Sequence, residues 1–187
     1  TEVLLNCLIR FKEKTLSLID GMFSFVFYDK IKKKIIIGRD RFGIKPLYYF
    51  NNDKYLILSS EIKPILHYEN IDKINIEVAA NFFFKGSMDH NESTFFSKVS
   101  AIKPSSYGLI DQKSFRIKKY WQIVNKNLSY DIQIQKEIPK LKDLINKSVK
   151  KHLLSDFEIG LFLSGGTDST ALAHLISKNT NQNLKTF

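Results

Sequence analysis

Ile159-Gly160-Leu161-Phe162-Leu163-Ser164-Gly165-Gly166-Thr167-Asp168-Ser169-Thr170-Ala171-Leu172-Ala173-His174-Leu175-Ile176 reads as a buried strand, a glycine turn and a helix. Ile159 to Leu163 is an apolar run, and Leu172, Leu175 and Ile176 fall on one helical face. Two glycines let backbone approach a ligand closely. The helix start supplies free N–H groups and a positive dipole end, which together favour an anion such as phosphate. Ser164 and Ser169 add hydroxyl donors. Asp168 is the odd residue, because a carboxylate repels phosphate; it makes sense if it holds a divalent cation or anchors the turn.

Gly160 to Thr167 spells G-x-x-x-x-G-G-T, with glycine where a Walker loop needs lysine. The segment resembles instead the SGGxDS pyrophosphate loop of ATP pyrophosphatases, with Thr167 at the variable position. An ordinary strand–helix turn rich in small residues is the bland alternative.

Working back toward the N-terminus, Gly21 to Asp29 reads as a strand. Ile35 to Asp40 reads as its hairpin partner across a lysine-rich turn. Arg41-Phe42-Gly43-Ile44-Lys45-Pro46-Leu47-Tyr48-Tyr49 and Leu58-Ser59-Ser60-Glu61-Ile62-Lys63 follow. These segments resemble, in order, the GMFAF, GRDxxGxxPLYY and SSExK segments of the glutamine-hydrolysing asparagine synthetase family. In that family the pyrophosphate loop follows at about this distance.

The resemblance implies a mixed α+β and α/β chain. Residues 1–124 would be the later part of a layered antiparallel glutaminase domain. Residues 125–131 would be a polar linker, and residues 132–187 the opening of a parallel-sheet nucleotide-binding domain. It implies ATP and magnesium, with Ser164, Gly165, Gly166, Asp168 and Ser169 on the pyrophosphate, Leu163 touching the nucleotide through its backbone, and Asp168 reaching the metal through the pyrophosphate. Met22 and Ile44 become candidates for lining the family's ammonia tunnel, although a plain core role is the safer reading for both. The substrates implied are ATP, glutamine and aspartate, in a cytoplasmic enzyme that a homodimer would suit. A relative that amidates or cyclises another acid would share these motifs, whereas tRNA-modifying pyrophosphatases lack the RDRFGIKPLYY element. Family members begin with a catalytic cysteine, which would stand before Thr1. The chain is therefore expected to be an internal fragment that releases no glutamate by itself.

Thr1 as an N-terminal nucleophile should open a strand. Leu4, Leu5, Leu8 and Phe11 instead show helical spacing, with Cys7 on the same apolar face as a buried, inert thiol. One cysteine cannot form an internal disulfide, and no apolar run approaches membrane-spanning length. The net charge of +10 invites a nucleic-acid reading. Of 29 basic residues, however, only Arg10, Arg39, Arg41 and Arg116 are arginine, and the lysines are scattered. That pattern describes solvated faces and not a phosphate-reading surface. His67, His90, His152 and His174 lack metal-ligand spacing. Arg39 and Asp40 read as a structural ion pair at a strand end, or as shaping a domain interface; Glu61 reads as a helix-start carboxylate or as facing the synthetase domain. Helices are expected over 1–14, 61–67, 77–84 and 132–154. One meander is expected from Met22 to Ser60, and a proline-turn hairpin over 107–120.

Overall fold

The computed structural model describes residues 1–52, 54–88, 91–111, 114–123, 134–180 and 183–187. The chain divides into two units, Thr1–Val124 and Asn125–Phe187. The expected linker falls within residues 124–133, outside the described residues.

The first unit opens with helix α1 (Glu2–Phe11), which carries Glu2 in its first turn and Arg10 in its last. Both charges suit the helix dipole. A 3-10 turn over Lys12–Lys14 then leads into the four-residue α2 (Thr15–Leu18). Strands β1 (Ser24–Asp29) and β2 (Lys34–Arg39) form a hairpin; Asp29 Oδ1 ties its turn by accepting from the N–H groups of Ile31 and Lys32. Strands β3 (Tyr48–Asn51) and β4 (Leu56–Ser59) form a second hairpin. Helices α3 (Ile62–Glu69) and α4 (Ile76–Lys85) follow. Asn75 caps the start of α4, and Gly86 ends it in the left-handed region. Strands β5 (Val99–Ala101), β6 (Ser106–Asp111) and β7 (Ser114–Lys119) complete the unit.

The expected single meander is corrected here. One antiparallel sheet runs β1-β2-β6-β7, and another runs β4-β3-β5. The two hairpins therefore lie in different sheets. The reason is the loop after β2, where Asp40 turns the chain before Leu47 can pair beside its predecessor. Alternation along β2 then builds the layers. Ile37, fully buried, faces Leu47 and Ile102 in the core between the sheets. The neighbouring Gly38 points the other way, toward Phe25 and Leu16 of α2, and a Cβ there would stand 2.6 Å from the Phe25 ring. Beyond the second sheet, Phe50 and Val99 pack on Ile65 of α3.

Thr15 is fully buried, and its hydroxyl has no partner. Thr15→Val keeps the shape and removes the unpaired group. It should stabilise the unit by about 1 kcal/mol, a rise of a few degrees in Tm on a thermal melt.

The second unit contains α5 (Ile134–His152), β8 (Gly160–Leu161), α6 (Thr167–Asn179) and β9 (Lys185–Thr186). The strands β8 and β9 pair in parallel, Gly160 with Lys185 and Leu161 with Thr186, as expected of an α/β start. Buried Val149 and Ile176 lie on α5 and α6, and Asn179 Nδ2 donates to Asn146 Oδ1 at 2.7 Å. The expectation of a buried strand over 159–163 needs correction. The regular strand covers only Gly160–Leu161, and Phe162 is 85% exposed. A parallel strand becomes buried when helices cover both its faces, and no such double cover lies over this pair of strands among the described residues.

Candidate functional site

The loop after β8 is built from its backbone upward. The Leu163 N–H donates to Phe187 O at 2.8 Å, and the Phe187 N–H donates to Leu161 O at 3.0 Å, so the parallel pairing runs up to the loop's first residue. Gly165 then takes φ +79°, a conformation that L side chains rarely adopt. This turn reverses the chain into α6. Gly166 caps the helix without any side-chain hydrogen bond. The N–H groups of the first turn, at Thr167, Asp168 and Ser169, have no partner within the helix by its own geometry.

The polar side chains gather at this end. Ser164 Oγ and Ser169 Oγ lie 3.2 Å apart, Ser169 Oγ donates to Gly166 O at 3.1 Å, and the Gly166 N–H reaches Ser164 Oγ at 3.4 Å. The two serines, five positions apart, thus meet across the turn. Asp168 is exposed in the first turn of α6. Among the described residues no three His, Cys, Asp or Glu side chains gather to hold a metal ion. A single carboxylate suits a cation that arrives with phosphate oxygens, not a resident metal. The Leu163 N–H, engaged by Phe187 O, is not available to a ligand.

In the first unit the densest polar structure surrounds Asp40, which is 1% exposed. Oδ1 accepts from the N–H groups of Phe42 (3.1 Å) and Ile44 (3.0 Å), and Oδ2 from those of Lys45 (2.9 Å) and Phe23 (3.3 Å). Arg39 does not pair with it. Its guanidinium donates to the carbonyls of Lys45 (2.9 Å), Gly43 (2.8 Å) and Ile102 (2.5 Å). The expected ion pair is therefore corrected: both charges are satisfied by backbone, and together they fix the 40–46 turn. Ser105 joins from the other side, its N–H on Asp40 O at 2.8 Å and its Oγ on Trp121 O at 2.8 Å. The Trp121 ring stands edge-on to Phe42 at 5.6 Å.

Burial alone would raise the Asp40 pKa, but the four backbone N–H bonds outweigh it and hold the carboxyl below its ordinary value. A depressed folded value stabilises fully above the unfolded value of about 3.9, and that stability is lost as pH falls through the folded value. Urea midpoints followed by the fluorescence of Trp121, the single tryptophan, should therefore drop below about pH 4. In Asp40→Asn the drop should be smaller.

Met22 and Ile44 flank this clamp and are not core residues, being 43% and 49% exposed. Cys7 is half-buried, short of the full burial expected. Thr1 caps α1 and opens no strand. Glu61 is exposed beside α3. His90 lies outside the described residues. No helix among the described residues is long and apolar enough to cross a membrane. Sequence reasoning missed Ser105 and Trp121 as partners of the 40–46 turn; the Pro104-Ser105 turn was the available signal.

Residues 1–121 match the family model described as a glutamine amidotransferase domain, and residues 140–187 match asparagine synthase. Asparagine synthetase [glutamine-hydrolyzing] 2 of Bacillus subtilis is 34% identical over 95% of this chain and 25% of its own length. A putative asparagine synthetase [glutamine-hydrolyzing] 2 of Methanocaldococcus jannaschii is 32% identical over 100% of this chain and 37% of its own length. The chain thus spans between a quarter and just over a third of these two relatives. Among solved structures, a glutamine phosphoribosylpyrophosphate amidotransferase from B. subtilis aligns over the whole chain with a TM-score of 0.43 and 11% identity.

Proposed function

The chain belongs to the glutamine amidotransferase domain family through residues 1–121, and from that premise we propose that the protein carrying it makes asparagine from aspartate, glutamine and ATP. The observation that carries the ATP half is the uncapped start of α6 behind the left-handed Gly165, with Ser164 and Ser169 meeting across it. A carboxylate resists attack by ammonia until one of its oxygens becomes a good leaving group. Transfer of AMP from ATP to the aspartate side chain supplies that group and releases pyrophosphate. In this reading the first-turn N–H groups, the glycine backbone and both serine hydroxyls hold the departing pyrophosphate. Asp168 meets the magnesium that travels with it, as part of the substrate, and the Leu163 carbonyl faces the nucleotide. Ammonia released from glutamine then displaces AMP, passing the apolar side chains of Met22 and Ile44. All the substrates are small and water-soluble, and we place the reaction in the cytoplasm.

The test uses the full-length protein with glutamine, aspartate and ATP. Glutamate, pyrophosphate and asparagine should appear in equal amounts. Absence of pyrophosphate with all three present would refute the reading. Pyrophosphate release without any need for aspartate would refute the choice of acceptor.

A further inference from the structure

We infer that the β1–β2 turn and the end of α1 beside it form a contact surface for an anionic lipid bilayer, with Ile31 entering the bilayer and six lysines facing its headgroups.

The lysines belong to two runs that the sequence keeps apart. Lys12 and Lys14 lie in the 3-10 turn after α1, and Lys30, Lys32, Lys33 and Lys34 span the turn into β2. All six are exposed. The fold brings the runs together. The Lys12 side chain touches that of Lys32, and this contact and the Lys12 charge lower the Lys32 pKa from its ordinary value. Asp29 pulls the other way and is outweighed. Its Oδ1 is engaged by the N–H groups of Ile31 and Lys32. Among the described residues no ion pair holds any of the six lysines.

The backbone adds a second observation. Lys12 and Lys33 both hold φ +51°, where an L side chain is strained. Neither turn needs a lysine at that position, whereas a charged contact surface does. Ile31 is the third. At 94% exposed it is the barest large apolar side chain among the described residues, and it stands between Lys30 and Lys32. Lysine stems lie along an acyl boundary while their ammonium groups reach the headgroups. Lipid suits these residues better than nucleic acid. Neither run contains arginine or an aromatic ring on which a base would stack. Compact ammonium charges suit the diffuse negative potential of a headgroup layer. One apolar tip with a basic patch gives reversible attachment and needs no spanning helix.

The full-length protein is sedimented with vesicles of phosphatidylcholine alone, and with vesicles that also contain phosphatidylglycerol, at low and at high salt. It should bind only the phosphatidylglycerol vesicles, and high salt should release it. Replacing both Lys32→Gln and Lys33→Gln should weaken binding about ten-fold or more, since each lysine near such a surface contributes about five-fold. Ile31→Ser should weaken it about five-fold or more. Thermal melts of these variants should match the parent, because the substitutions lie in an exposed turn. No binding to phosphatidylglycerol vesicles, equal binding to phosphatidylcholine alone, or variants that bind as the parent does would each overturn the inference. Binding that duplex DNA competes away and Ile31→Ser leaves unchanged would overturn it in favour of nucleic acid.

Discussion

With Asp168 replaced by alanine, the full-length protein should still release glutamate from glutamine, yet make pyrophosphate far more slowly. The carboxylate stands in the first turn of α6, where the helix's own N–H groups already favour an anion. An acid at that place works against phosphate unless a cation lies between them. Losing one charge-assisted contact to magnesium at the transition state should cost about 2–4 kcal/mol, a rate loss of roughly thirty- to a thousand-fold. Ser169→Ala removes a neutral hydrogen bond worth about 1 kcal/mol and should be much milder. Paired assays of glutamate and pyrophosphate on one preparation make the comparison internal. A wild-type rate of pyrophosphate release in Asp168→Ala would mean that this loop does not bind ATP.

The second large effect concerns folding. Asp40→Ala removes the acceptor from four backbone N–H groups around a side chain that is 1% exposed. Each unsatisfied buried group costs about 1–3 kcal/mol, and even with partial access of water the total loss should reach at least about 4 kcal/mol. A domain of this size has only about 5–15 kcal/mol to lose. Asp40→Asn, which keeps one acceptor oxygen, should lose about half as much. Urea unfolding read from Trp121 fluorescence measures both. A midpoint for Asp40→Ala close to that of the parent would show that the clamp contributes little.

The local elements were legible because their signals are local. The helix expected over 77–84 is found one residue longer at each end, at Ile76–Lys85, with Asn75 and Gly86 as its caps. The strand–glycine–helix reading of 159–176 likewise needed only periodicity and two glycines. The split into two sheets was illegible because it depends on which strand neighbours β2, and pairing partners leave no periodic trace. Ile35, Ile36 and Ile37 are equally apolar on both faces, so the pattern does not say whether β3 or β6 lies beside them. Asp40 misled for a related reason. An arginine next to an aspartate suggests a pair, but the turn that follows offers carbonyls to Arg39 and N–H groups to Asp40. Each therefore found its own set of backbone groups. Met22 and Ile44 were misjudged as core because apolar identity alone does not distinguish a packed side chain from one held at a surface.

The sheet order β1-β2-β6-β7 also governs how the first unit comes into being. Ile36 lies opposite Leu109, so β2 waits about 70 residues for its second neighbour, and the closing of that loop must precede any gain from the contact. During synthesis the β1–β2 hairpin leaves the ribosome with the β2 edge bare, carrying a run of three isoleucines, well before β6 exists to cover it. At about 5–20 residues per second that interval lasts several seconds. Lys32, Lys33 and Lys34 stand immediately before the isoleucines. Their charge keeps nascent chains apart over the period when this edge could recruit a wrong strand.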